Sequence, residues 1–217
     1  MDVVKSVVLD TNEVIYDENG NALRFYQSQK LINTGEFTIR LDGPPGQPGS
    51  KKYLQKLTIA QQISAYDRIK KMMAIPGPFL NEGKQLDVTP LLSAVNQQQL
   101  DQKVIILIFW RAGCPPCTES FDALNDFFTQ IHNPERIVIL AITTDDEAVA
   151  ASKLKEKPLV YTQLLSNAGS ITSAYELTAY PAFVVADKDH IIRFSAKGVG
   201  PVTLAAFKNT IRTVLYQ

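Results

Sequence analysis

Val104-Ile105-Ile106-Leu107-Ile108-Phe109-Trp110-Arg111-Ala112-Gly113-Cys114-Pro115-Pro116-Cys117 is the stretch that decides how this chain folds. The continuous apolar run Val104 to Phe109 reads as a strand buried on both faces of a parallel sheet. It feeds straight into the only two cysteines of the chain, set one helical turn apart. Beyond Cys117, the residues Phe121, Leu124, Phe127 or Phe128, and Ile131 recur by threes and fours, as on the buried stripe of a helix. That helix is expected to stop near Asn133-Pro134. A second apolar run, Ile137 to Ile142, completes a unit of strand, cysteine turn, helix and strand. A CxxC in that setting points to redox chemistry.

Composition narrows the rest. At 217 residues the chain can form one large domain, or an ordinary domain with a sizeable extension. Its 22 basic and 22 acidic side chains cancel, which argues against a nucleic-acid or anionic-membrane partner. Two cysteines cannot form the stapling framework of a small secreted domain. Closing so short a loop removes little chain entropy, so a disulfide here is better explained by chemistry than by stability. No stretch reaches the roughly 18 apolar residues of a membrane span, and Met1 to Asp10 lacks the apolar run of a signal peptide.

The first third follows a different pattern. Val7 to Asp10 and Val14 to Tyr16 are short β-prone runs, and Asp17-Glu18-Asn19-Gly20 is a turn signal. Leu23 to Ile32 is expected to be a short helix ended by Gly35, and Phe37 to Leu41 alternates like a strand with one buried face. Asp42 to Ser50, rich in Gly and Pro, reads as a surface loop. Its return strand is Tyr53 to Leu57. Thr58 and Gln61 fit a capping box, and Ile59, Ile63, Tyr66 and Met73 mark the stripe of a helix that Ala74 to Pro78 ends. The boundary is placed there, giving an α+β module over residues 1–75 and a second domain over 76–217.

In the second domain, Leu91 to Leu100 is a short helical or irregular lead-in to the cysteine unit. Asp145 to Lys155 reads as a helix with acids at its start and lysines at its end. Val160 to Leu165 is a short strand and Ile171 to Leu177 a short helix. Phe183 to Ala186 and Ile191 to Ser195 form a hairpin around Asp187 to His190, and a last helix buries Leu204, Phe207, Ile211 and Val214 or Leu215.

From about Pro76 to Gln217 the chain resembles the thioredoxin superfamily, and within it the TlpA/ResA-type thiol-disulfide oxidoreductases of bacterial cell envelopes. The residues that carry the resemblance are Phe109-Trp110 before the cysteine turn, Tyr180-Pro181-Ala182-Phe183-Val184-Val185 in the place of the cis-proline strand, and the Asp187 to His190 turn with its closing helix. The resemblance implies an α/β fold, a thioredoxin-like sheet flanked by helices. It makes Pro181 the cis-proline candidate beside the cysteines, with the backbone of Tyr180 offered to a substrate chain. It also implies protein thiol or disulfide substrates, a thiol-redox reductant protein that in relatives is membrane-bound, and a periplasmic or cell-envelope location; a cytoplasmic location is the alternative. Two departures stand out. Gly113 replaces the Trp that commonly precedes the first cysteine. The buried acid that the family places beneath the second cysteine would fall at Ile108 or at Ser120, and neither is acidic.

Chemically, the thiolate is the reactive species, and Cys114 at a helix N-terminus is the expected attacking sulfur, with Cys117 resolving the mixed disulfide. Pro115 and Pro116 suit a first helical turn but bring no N–H to bind the sulfur, which favours a reductase. Arg111 is a candidate source of positive charge, and Trp110 of substrate contact, although core packing explains Trp110 equally well. Other readings of the cysteines are a zinc site, short of ligands with only two histidines, or a pair that merely packs. His132 and His190 read as solvated surface residues. No G-x-G-x-x-G follows a strand, so no dinucleotide cofactor is expected. A thiol peroxidase and a redox-inactive binding module are the competing functions.

Overall fold

The structure, a computed structural model, describes residues 14–32, 36–43 and 50–216. The expected strand at Val7 to Asp10, the helix stop at Gly35 and most of the Gly/Pro loop lie outside the described residues. The chain divides into two compact units, Met1–Ile69 and Lys70–Gln217.

The first unit holds a four-stranded sheet of order β2-β1-β4-β3, built from β1 (Ile15–Tyr16), β2 (Ala22–Leu23), β3 (Phe37–Asp42) and β4 (Lys51–Lys56). β1 and β2 form a hairpin whose turn is tied by Asp17. Its Oδ1 accepts from the N–H groups of Asn19 (2.9 Å) and Asn21 (2.8 Å), and Gly20 takes the positive φ of 82° that the turn requires. β3 and β4 pair antiparallel in unbroken register from Phe37↔Lys56 to Asp42↔Lys51. The alternation seen in the sequence of β3 is therefore real. Helix α1 (Phe25–Ile32) starts later than expected because Ala22 and Leu23 are drawn into the hairpin. Helix α2 (Ile59–Met73) opens on the expected capping box: Gln61 Oε1 accepts from Thr58 N–H (2.9 Å), and Gln61 N–H donates to Thr58 Oγ1 (3.3 Å). Its stripe needs correction, since Ile59 is 77% exposed. The cap sets this helix start, not burial of Ile59. The side chains of Ile63 and Tyr66 lie outside the described set.

The second unit is built on a five-stranded sheet of order β7-β6-β5-β8-β9. Its strands are β5 (Val104–Trp110), β6 (Ile137–Thr143), β7 (Gln163–Leu165), β8 (Ala182–Ala186) and β9 (Ile192–Lys197). β5 lies in the middle, parallel to β6 and antiparallel to β8. All seven of its residues are buried. Ile106, Ile108 and Trp110 pack with Phe121, Phe183 and Phe207 on one face, while Ile105, Leu107 and Phe109 pack with Leu91, Ile171 and Tyr175 on the other. Helices cover both faces, which is why the sequence of β5 shows no polar alternation. The lead-in is a 3-10 turn at Thr89–Ser93 followed by α3 (Gln97–Leu100).

The helix expected after the cysteines is in fact two, α4 (Pro115–Glu119) and α5 (Phe121–Phe128), separated at Ser120. At this point the carbonyl of Cys117 accepts both Ser120 Oγ–H at 2.6 Å and Ser120 N–H at 3.3 Å, the tighter i→i+3 bonding of a 3-10 turn. Ile131 falls beyond the helix end. The remaining helices are α6 (Glu147–Glu156), α7 (Gly169–Ala174) and α8 (Pro201–Leu215), the last burying Phe207, Ile211, Val214 and Leu215 against the sheet. His190 also departs from expectation. It is partly buried, closes the β8–β9 turn at φ 60°, and sets its Nε2 3.1 Å from the carbonyl of Leu100. His132 is exposed as expected.

Candidate active site

β5 ends at Trp110, and the chain turns through Arg111, Ala112 and Gly113 to Cys114, which caps α4 with an extended backbone (φ −114°, ψ 94°). Cys114 and Cys117 are joined in a disulfide, S–S 2.06 Å with Cα atoms 5.3 Å apart. The two sulfurs are not equivalent. Cys117 is wholly buried in the cluster that contains Ile108, Trp110 and Phe121, whereas Cys114 is partly exposed.

Backbone donors are scarce at this helix mouth. Pro115 and Pro116 fill the first two helical positions and carry no N–H. The next two donors, the N–H groups of Cys117 (3.0 Å) and Thr118 (3.4 Å), are directed to the carbonyl of Cys114. The two positions at which the resemblance places an acid beneath Cys117 are filled by buried Ile108 and buried Ser120, and Glu119 is exposed.

Across from the cysteine turn, the Tyr180–Pro181 peptide bond is cis, and the carbonyl of Pro181 accepts from Gly198 N–H at 2.6 Å. Among the described residues no hydrogen bond takes up the backbone N–H or carbonyl of Tyr180. Arg111 is half-exposed and links the two loops. Its guanidinium lies 5.8 Å from the Tyr180 ring centroid, and its Nε lies 3.8 Å from Asp145 Oδ1.

Asp145 is a contact of the cysteine turn that sequence reasoning missed. The sequence reads it as the start of the following helix, but Asp146 performs that cap by accepting from Val149 N–H at 2.8 Å. Asp145 instead turns back to the cysteine turn, its Oδ2 accepting from Ala112 N–H (2.6 Å) and from Thr143 Oγ1 (2.9 Å). The available signal was positional. Thr143 pairs in register with Trp110, so an acid two residues later emerges beside the turn.

Trp110 is completely buried and packs edge-on to Phe121 at 5.5 Å, so it supports the strand end and does not face a substrate here. Gly113 is exposed, and a Cβ built there meets nothing within 4 Å. The turn could accept a side chain, and an aromatic contact surface is what Gly113 forgoes. No group of three or more His, Cys, Asp or Glu among the described residues is arranged to hold a metal ion.

A mixed sheet that carries a disulfide at a strand-to-helix turn, with Arg111 of that turn over Tyr180 of a cis-proline loop, has a thioredoxin-like fold. Residues 77–214 match the Redoxin family, more than half of the chain, and the chain belongs to that family. Among solved structures it is similar to a Chlorobium tepidum protein designated thiol:disulfide interchange protein DsbE, at 20% identity and TM-score 0.51, covering 66% of this chain and 97% of that one. It is also similar to a Bacteroides thetaiotaomicron protein designated a protein disulfide isomerase, at 15% identity and TM-score 0.54, covering 67% and 94% of the two chains. These likenesses establish the fold. No curated protein matches the sequence. The family together with the disulfide at the helix mouth supports a thiol-disulfide oxidoreductase.

Proposed function

We propose that the chain reduces disulfides in other proteins through Cys114-Pro115-Pro116-Cys117, with Cys114 attacking and Cys117 resolving. The observation that carries this reading is the asymmetry of the pair: one sulfur is reachable by a visiting chain and the other is sealed beneath it. In the reaction, the Cys114 thiolate attacks one sulfur of the substrate disulfide. A mixed disulfide forms and one substrate thiolate leaves, taking a proton from solvent. Cys117, as its thiolate, then attacks Cys114 Sγ. The Cys114–Cys117 disulfide forms, the second substrate thiol departs, and two electrons have passed to the substrate. A dithiol protein must restore the reduced state. A membrane-bound reductant in the cell envelope fits the resemblance to TlpA/ResA-type proteins.

Open backbone at Tyr180 next to cis Pro181 supports strand-like docking of the substrate chain there, with Arg111 at its edge. Every residue assigned a role lies within 76–217.

The direction rests on donors. With Pro115 and Pro116 giving no N–H and the next two amides engaged, a Cys114 thiolate is weakly stabilised, and the reduced form yields its electrons readily. Equilibration against glutathione is expected to place the pair near the about −270 mV of thioredoxin, far from the about −120 mV of DsbA. A potential above the about −180 mV of protein disulfide isomerase overturns the reductase assignment. Run in parallel, insulin reduction and peroxide consumption separate this activity from that of a thiol peroxidase.

A further inference from the structure

Ala112 and Cys114 pack against the core cluster, but Gly113 and two prolines leave the cysteine turn with few hydrogen bonds of its own. Within it, Cys114 N–H donates to Arg111 carbonyl at 3.1 Å, and the added Cβ at Gly113 finds open space. What fixes the turn to the sheet comes from 33 residues away: Asp145, whose side chain is only 13% exposed, takes Ala112 N–H at 2.6 Å. The same carboxylate accepts from Thr143 Oγ1, and its other oxygen faces Arg111 Nε. Asp145 is itself held, because its backbone carbonyl accepts from Asn167 N–H at 2.8 Å and Thr143 carbonyl from Ala168 N–H at 2.9 Å. Arg111 in turn lies over the ring of Tyr180. One acid therefore joins the end of β6, the approach to Cys114 and the loop of cis Pro181.

We infer that Asp145 is a positioning residue for disulfide exchange, holding the Arg111-Ala112 segment so that Cys114 and the Tyr180 loop face one substrate chain in fixed relation. The inference rests on the thiol-disulfide reading of the site. Its physical basis is that exchange needs the three sulfurs nearly in line, and small displacements of a nucleophile are expensive in rate. A hydrogen bond to a carboxylate is stronger than one to a neutral acceptor, which suits a clamp on a turn with few hydrogen bonds of its own. Asp145 acts through Ala112 and Arg111 and does not itself touch the reacting sulfurs in this account.

The experiment uses the full chain with Asp145→Ala and Asp145→Asn. Asparagine keeps an oxygen that can accept from Ala112 N–H, whereas alanine removes it. Three quantities are measured: thermal midpoint, kcat and KM for insulin reduction, and the rate at which Cys114 of the reduced protein is alkylated by iodoacetamide across pH. Asp145→Ala is expected to lose between about tenfold and a hundredfold in kcat/KM. Its midpoint should stay close to that of the wild type, and Asp145→Asn should recover most of the loss. The Cys114 alkylation profile of Asp145→Ala should differ from the wild-type profile and that of Asp145→Asn should approach it.

Asp145→Ala exchanging at the wild-type rate overturns the inference. So does Asp145→Asn being as impaired as Asp145→Ala, which would make the charge and not the accepted hydrogen bond decisive. A kcat/KM loss matched by a collapse of the midpoint also overturns it, leaving a purely structural role. If the wild type reduces no disulfide, it is the functional reading that fails. The alkylation profiles of the same variants still decide whether Asp145 positions the turn.

Discussion

The two sheets of this protein solve the same packing problem in opposite ways. In the five-stranded sheet, β5 buries all seven residues between two layers of helices. In the four-stranded sheet, β4 fully buries one of its six, Leu54, and β3 alternates between partly buried and exposed positions. The difference shows where a reactive turn can be held. A strand fixed on both faces delivers its last residue, Trp110, to a defined place, and the cysteine turn inherits that definition. A strand packed on one face gives a stable support without such an anchor, and none of the residues assigned to the chemistry comes from it.

The comparison breaks most visibly at the sulfurs. Cys114→Ser is expected to drop insulin reduction to background, while Cys117→Ser keeps the first attack and accumulates a mixed disulfide visible on a non-reducing gel. Turnover that survives Cys114→Ser would detach the chemistry from the end of β5. The next effect is on stability. Phe109→Ala, which opens a cavity beside Tyr175 in the central strand, is expected to cost about 3–5 kcal/mol in denaturant unfolding. Leu54→Ala in the four-stranded sheet is expected to cost about 2–3 kcal/mol and to leave the reduction potential of the cysteine pair unchanged. A potential that moves in Leu54→Ala would show that the first unit takes part in the chemistry after all.

The smallest effect sharpens the comparison within the second sheet, at the turn between β8 and β9. Burial pushes the Asp187 carboxyl up, but hydrogen bonds from Ile191 N–H, the Arg193 guanidinium (2.6 Å) and Asp189 N–H outweigh it and hold the group below its ordinary value. The folded value thus lies below the unfolded value of about 3.9, so the carboxylate stabilises the fold fully above that pH and its contribution is lost as pH falls through the folded value. Asp187→Asn is expected to lose about 1 kcal/mol at neutral pH and to unfold along a flatter acid limb than the wild type. Acid limbs that superimpose would remove Asp187 from the account.

How far the sequence could be read followed the range of the forces involved. The apolar run of β5, the spacing of the cysteines, the capping box at Thr58 and Gln61, and the β8–β9 hairpin were legible because each is set by neighbours a few residues apart. The division of the cysteine helix at Ser120 is also local, yet it escaped a reading of apolar periodicity, since a single tightened turn leaves no mark on the hydrophobic stripe. His190 looked solvated because its partner, the Leu100 carbonyl, lies 90 residues away.

By itself, then, the sequence determined a doubly buried strand ending in a paired-cysteine turn, the positions of most elements around it, and the kind of chemistry two such sulfurs perform. Tertiary structure alone decided which sulfur is exposed, that Trp110 packs inward, that β1 lies parallel to β4, and that Asp145 reaches Ala112 and faces Arg111. Periodicity and spacing are properties of a chain and its nearest neighbours. Exposure and the partner of a carboxylate depend on segments brought together from far along it, and only the folded packing fixes those.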